Sequence, residues 1–83
     1  MLPTSTFDIK NDGASDLLLY LEPEGAKFSL PPQGSVQVHL FGSEKTVELN
    51  QSIDAEGRIR ISLWPINGDY EVLFNGKSVW DQL

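Results

Sequence analysis

The stretch YEVLFNGKSVW, residues 70–80, contains two short apolar-rich segments separated by Asn75-Gly76. Asn-Gly between such segments favours a two-residue type I′ turn, because both residues tolerate positive φ and the twist of this turn matches that of paired strands. We therefore predict a β-hairpin with strands at Tyr70 to Phe74 and Lys77 to Trp80. The expected facing pairs are Phe74 with Lys77, Val72 with Val79, and Glu71 with Trp80.

The rest of the sequence has the same organisation, with apolar-rich segments separated by turn residues. Seven glycines recur along the chain, and short strands bounded by frequent turn signals are typical of antiparallel sandwiches and barrels. We predict an all-β fold, a small antiparallel sandwich (immunoglobulin-like or a related barrel) of about seven or eight strands. Residues 51–57 are expected to form a polar connection, and no helix is predicted. The other expected strands are Ser5 to Asn11, Leu17 to Glu22, Ala26 to Leu30, Ser35 to Phe41, Glu44 to Asn50 and Arg58 to Trp64.

Alternation within these segments predicts which side chains face the core. Residues 17–21 are apolar on both faces, which is typical of a strand that is buried on both sides or covered by a partner. The expected inward residues of the two clearest alternating strands are Val36, Val38, Leu40, Ile59, Ile61 and Leu63. The expected outward residues of the same strands are Gln37, His39, Phe41, Arg58, Arg60, Ser62 and Trp64.

Length, charge and the lack of cysteine limit the functional classes. The 83 residues predict one domain over 1–83, and without Cys there is no disulfide framework or thiolate metal site. The net charge of −6 opposes phosphate neutralisation, so we expect no nucleic-acid partner. No apolar segment is long enough for a membrane helix and no secretory signal is visible, so we expect a cytoplasmic protein without a membrane partner.

Two groups of motifs resemble known β proteins. The stretch LEPEGAKFSLPP, residues 21–32, resembles a segment of small uncharacterised bacterial all-β domains, in which a Glu-Pro-x-Gly turn precedes a Leu-Pro-Pro turn. The later segments 63–65, 70–72 and 75–77 resemble the second half of the same proteins. The pattern from Asn11 to Leu40 also resembles the first half of immunoglobulin-like sandwiches. These resemblances imply a fold and carry no activity.

The residue types that support catalysis are not arranged in a known catalytic pattern. His39 is the only histidine, and the chain has no Gly-x-Ser-x-Gly nucleophile elbow. The carboxylate pairs Glu22/Glu24 and Asp54/Glu56 fall near expected turns, where acids are usually solvated. We therefore predict no catalytic, cofactor-binding or metal site, and a protein that is not an enzyme.

The outward aromatic and cationic side chains are the best candidates for a functional surface. Trp, Tyr and Arg are enriched in interaction hot spots, so we predict a non-enzymatic protein-interaction module. Its partner is an unidentified protein or a second copy that pairs through an edge strand. The alternatives are a carbohydrate-binding module that stacks sugars on aromatic rings, and an acidic inhibitor or nucleic-acid mimic. The candidate interaction residues are Phe41, Arg58, Arg60, Trp64 and Trp80, with Phe41 expected on a strand next to that of Arg58, Arg60 and Trp64.

Overall fold

The computed structural model describes residues 2–3, 5–41, 47–65 and 69–82. These residues form eight strands and one short 3₁₀ helix. In chain order they are β1 (Ser5–Lys10), β2 (Leu17–Leu21), β3 (Ala26–Leu30), β4 (Ser35–Phe41), β5 (Val47–Ile53), β6 (Ile59–Pro65), β7 (Asp69–Phe74), β8 (Lys77–Ser78) and the 3₁₀ helix Val79–Gln82.

The strands form two four-stranded sheets. Sheet A has the order β1-β4-β7-β8 and sheet B the order β3-β2-β6-β5. The predicted all-β sandwich is confirmed, and so is the expected number of strands. One pair is parallel: β2 lies beside β6, with Leu18 opposite Arg60 and Leu21 opposite Leu63. All other strand pairs are antiparallel.

Most strand boundaries agree with the sequence prediction, and β5 is the main exception. Its pairing with β6 continues to Ile53 opposite Ile59, so the polar connection expected to begin at residue 51 is wrong. Polar residues are accommodated in this strand because every residue from Glu48 to Ile53 is exposed to solvent. The first part of the strand predicted from Glu44, residues 44–46, lies outside the described residues.

The C-terminal hairpin has the predicted turn but a shorter second strand. Asn75 and Gly76 both have positive φ, 54° and 78°, and Phe74 faces Lys77 as expected. The strand ends at Ser78, whose hydroxyl accepts a hydrogen bond from the Trp80 amide at 3.3 Å. The chain turns there into the 3₁₀ helix, so the predicted pairs of Val72 with Val79 and Glu71 with Trp80 do not form.

The core lies between the inner faces of the two sheets. The predicted inward residues of β4 are all buried, and the two phenylalanine rings of Phe28 on β3 and Phe74 on β7 meet with centroids 5.3 Å apart. Val79, in the 3₁₀ helix that follows β8, is also fully buried. The buried apolar residues are Leu17, Leu19, Leu21, Phe28, Leu30, Val36, Val38, Leu40, Leu63, Val72 and Val79.

Two polar side chains connect the sheets and loops. The Tyr70 hydroxyl on β7 donates a hydrogen bond of 2.9 Å to the Glu22 carbonyl, at the end of β2 in the other sheet. The side-chain Nδ2 of the buried Asn11 donates to the backbone carbonyls of Ser15 and Leu30 at 2.8 and 3.0 Å. Both side chains satisfy backbone acceptors that would lose hydration when the sandwich closes. Within the described part of the chain, no helix is long and apolar enough to cross a membrane.

Replacing Leu19 should remove a large part of the stability of this domain. Leu19→Ala deletes a side chain with no solvent exposure, and such core truncations cost about 2 to 5 kcal/mol. Because small domains have only roughly 5 to 15 kcal/mol in total, we expect a large drop in the urea midpoint. Leu2→Ala, at a residue that is 88% exposed, is the matched control. Equal midpoints for the two variants would contradict this core assignment.

Tyr70 should make stability depend on alkaline pH. Burial, together with the carboxylates of Glu24 and Glu22, raises the pKa of Tyr70 above its ordinary value. The folded state therefore favours the neutral phenol. The folding stability that this preference contributes is complete below about pH 10 and is lost as the pH rises further. Tyr70→Phe removes the hydrogen bond and should cost about 1 kcal/mol at neutral pH. Urea unfolding from pH 8 to 11 should show a smaller alkaline loss for Tyr70→Phe than for wild type, whereas parallel curves would exclude this role.

Candidate interaction surface

The strand β5 forms an open edge of sheet B. It is last in the order β3-β2-β6-β5, so within the described residues no strand pairs with its far side. Its sequence VELNQSI has one charged residue, Glu48, and no proline. The other edges carry the features that usually protect an edge: β1 has Asp8 and Lys10, β3 has Lys27, and β8 has two residues. Among the described edges, β5 is therefore the one best suited to accept another strand.

The turn after β5 determines which backbone groups face the open side. The Asp54 amide donates to the Arg58 carbonyl at 2.9 Å, and the Gly57 amide donates to the Asp54 carbonyl at 3.0 Å. With Gly57 at φ 82°, this is the three-residue hairpin loop with a bulge. Antiparallel pairs alternate between hydrogen-bonded and non-hydrogen-bonded, so even-numbered residues of β5 bond to β6. The N–H and C=O groups that point away from β6 belong to Val47, Leu49, Gln51 and Ile53.

Apolar side chains lie next to these free backbone groups. Leu49 is 49% exposed, Ile53 is 68% exposed and Ile59, opposite Ile53 on β6, is 40% exposed. All three share the inner face of sheet B with the buried Leu63. Ile59 therefore points to the core side of sheet B as predicted. Its side chain is not buried there, because sheet A does not cover this edge. We call Leu49, Ile53 and Ile59 the edge apolar patch.

Arg58, a predicted interaction residue, holds the hairpin turn. Its Nε lies 3.0 Å from the Asp54 carboxylate and a terminal nitrogen lies 3.1 Å from Glu56. The Asp54 carboxylate also accepts the Arg58 and Glu56 amides, each at 2.9 Å. The hydrogen bond from the Arg58 backbone N–H is the largest effect on the pKa of Asp54 and lowers it. Burial raises this pKa, and the Glu56 backbone N–H and the Arg58 guanidinium lower it further, so that the pKa lies below its ordinary value. The charge of Arg58 thus stabilises the turn between β5 and β6.

Arg60 and Trp64 lie on the outer face of β6. The guanidinium of Arg60 lies 5.2 Å from the centroid of the Tyr20 ring, and Lys27 Nζ lies 5.8 Å from the same ring. Arg60 Nε is buried, without a hydrogen-bond partner in the described structure. Trp64 stands opposite Glu48 of β5 and is 40% exposed, which confirms that it faces outward. Trp64 is therefore the predicted aromatic residue nearest to the open edge.

The structure separates the remaining two predicted residues from this hairpin. Phe41 belongs to β4 in sheet A, where it pairs with Asp69, so the expectation that it lies on a strand next to Arg58, Arg60 and Trp64 is wrong. Consecutive strands often belong to different sheets here, and spacing along the sequence does not reveal this. Trp80 packs edge-on against Tyr70, with centroids 6.3 Å apart, and lines an open hollow of about 530 Å³.

Sequence reasoning missed the two most exposed members of the edge apolar patch. Leu49 was expected in a strand without a role, and Ile53 in a polar connection. The signal that identifies them is the alternation of Val47, Leu49 and Ile53, which continues at every second residue except Gln51. His39, the only histidine, lies with Nε2 2.6 Å from the Gln37 side-chain oxygen. Over residues 2–3, 5–41, 47–65 and 69–82, no three His, Asp or Glu side chains form a group that could hold a metal ion.

Comparisons with known proteins give no further guide to the surface. The chain matches no family model, no curated protein and no solved structure.

The geometry of the β5–β6 hairpin should depend on Gly57. Gly57→Ala places a Cβ where space is free but φ is 82°, and an L residue in this conformation costs about 1 to 2 kcal/mol. Gly57→Asn is the matched variant, because Asn adopts positive φ more readily. We expect the alanine variant to lose more stability in urea unfolding and to exchange the amide protons of residues 47–65 faster. Equal losses for both variants would show that φ at residue 57 does not limit the hairpin.

Proposed function

We propose that this domain is a non-enzymatic protein-interaction module that binds an extended segment of a cytoplasmic protein by strand addition along β5. The observation that carries the proposal is the seven-residue edge at Val47–Ile53, with outward N–H and C=O groups beside exposed apolar side chains. In strand addition, main-chain hydrogen bonds supply affinity and alternate side chains supply specificity. The open edge offers both kinds of contact in one place.

The two faces of β5 define the chemistry of the segment that fits. On the inner face, Leu49 and Ile53 lie exposed, so the added strand should place apolar side chains there. On the outer face, Glu48, Asn50 and Ser52 are polar and exposed, so its other side chains should be polar or basic. The fitting partner segment therefore alternates apolar and polar residues, with a basic or neutral residue opposite Glu48.

The carbohydrate and mimic alternatives receive less support from the geometry. Sugar stacking needs open aromatic faces, and the Tyr20 ring already contacts Lys27 and Arg60. Among the described aromatic residues, Trp64 is the exposed one. A nucleic-acid mimic needs its carboxylates on one surface, whereas Asp8 lies on sheet A, Glu48 on sheet B and Asp12 in a loop between them. The interaction module is thus the function that this surface favours.

A proline at residue 51 should abolish strand addition without breaking the fold. The Gln51 N–H points away from β6, so Gln51→Pro removes one edge donor while leaving the β5–β6 hydrogen bonds intact. Selection of displayed random heptapeptides on the wild-type domain should enrich sequences that alternate apolar and polar residues. Their affinity, measured by isothermal titration, should fall about tenfold or more for Gln51→Pro, since it loses an edge hydrogen bond and places its ring against the partner.

Gln51→Ala is the matched control, because it keeps the N–H and removes the side chain. It should bind the selected peptides nearly as well as wild type. Selection that yields no binders, or binders that Gln51→Pro holds as tightly as wild type, would overturn strand addition at β5. A glycan from a panel that changes tryptophan fluorescence in a saturable way would then favour the carbohydrate alternative.

A further inference from the structure

We infer that the strand added to β5 is β5 of a second copy, antiparallel, with the two-fold axis passing beside Asn50. This inference rests on the proposed function, because it uses the same open edge. A two-fold axis requires a surface that is complementary to itself. The sequence of β5 meets that condition in one register.

The register follows from the direction of the free backbone groups. Val47, Leu49, Gln51 and Ile53 point their N–H and C=O groups to the open side. With Asn50 at the axis, Val47 faces Ile53 of the second copy and Leu49 faces Gln51 of the second copy. Every free N–H and C=O of β5 then lies in a hydrogen-bonded pair, and all seven residues of the strand are matched.

Charge and apolar contact select this register over its two symmetric neighbours. About Asn50, Glu48 faces the neutral Ser52 of the second copy. An axis at Gln51 places Glu48 opposite Asp54, and like charges directly opposite each other are destabilising. An axis at Leu49 leaves Ile53, the most exposed apolar residue of the strand, without a partner on β5. The Asn50 register avoids both costs.

The resulting assembly closes on itself. Sheet B of each copy would join into one sheet of twice its width, whose ends are the two β3 strands. Each β3 edge carries Lys27, a feature that discourages further strand pairing. The expected product is therefore a dimer, and longer assemblies should not form.

The net charge predicts how the dimer responds to salt. Each copy carries −6, so the two copies repel one another at long range, and salt screens this repulsion with a Debye length of about 8 Å at physiological ionic strength. Dimerisation should therefore strengthen as sodium chloride is raised. An assembly held by attraction between opposite charges would weaken instead.

Cysteine cross-linking tests the register directly, since the natural chain has no cysteine. In Asn50→Cys, the two thiols face each other in a non-hydrogen-bonded pair with Cα atoms about 4.5 Å apart, within the range of about 4.4 to 6.8 Å that a disulfide needs. In Glu48→Cys, a four-residue offset separates the thiols by about 14 Å. Under mild oxidation, Asn50→Cys should form a disulfide dimer about tenfold or more faster than Glu48→Cys, which cannot meet this geometry.

Sedimentation of the uncross-linked protein completes the test. Wild type should form dimers from micromolar to millimolar concentration, with more dimer at high salt, and Gln51→Pro should stay monomeric. If Leu49→Cys or Gln51→Cys cross-linked faster than Asn50→Cys, the Asn50 register would be overturned. If the wild type stayed monomeric, the inference that the partner is a second copy would be overturned. If the monomer still binds selected peptides in a manner sensitive to Gln51→Pro, the proposed function stands and only the self-pairing fails.

Discussion

Contact between two small inner faces stabilises this domain and determines which parts of it remain exposed. The chain has no disulfide and 83 residues, so packing must offset the entropy of ordering both sheets. Leucine and valine side chains with almost no solvent exposure supply that packing, and Tyr70 ties the end of β2 to the opposite sheet. Sheet A does not extend over the β5 side of sheet B. Leu49, Ile53 and Ile59 therefore lie on the inner face of sheet B but remain exposed to solvent.

The uncovered edge leaves apolar side chains exposed beside backbone groups that point away from β6. Exposed apolar side chains on an unprotected edge are usually a hazard, because they invite unselected strand pairing. In this domain the turn next to the exposed side chains is held by hydrogen bonds. The Asp54 carboxylate accepts from the backbone N–H groups of Arg58 and Glu56 and from the Arg58 guanidinium. This turn fixes which backbone groups of β5 point away from β6.

The sequence predicts local features of this fold well and non-local ones poorly. The limits of β3 and β4 were predicted because Pro31, Pro32 and Gly34 interrupt the chain between them, and the Asn75-Gly76 turn adopts the positive φ that its residues favour. The sequence prediction ended β5 too early because Asn50, Gln51 and Ser52 resemble a loop, whereas at this exposed edge both faces of the strand carry polar residues. Phe41 was misplaced beside Trp64 because sequence does not reveal which sheet a strand joins. The end of β8 at Ser78 was missed because alternation alone does not reveal that residues 79–82 form a 3₁₀ helix.

The parallel pairing of β2 with β6 also constrains the order in which the molecule assembles. The hairpins β2–β3, β5–β6 and β7–β8 each need only neighbouring residues, and such local contacts form early. Sheet B, in contrast, requires β2 to pair with a strand about forty residues further along the chain. Closing that loop costs conformational entropy before the stabilising contacts between the two strands form. During synthesis, β2 must therefore wait for the chain to extend past Pro65 before its second neighbour exists. Sheet A is completed later still, because β4 pairs with β7 (Asp69–Phe74), which follows β6 in the chain.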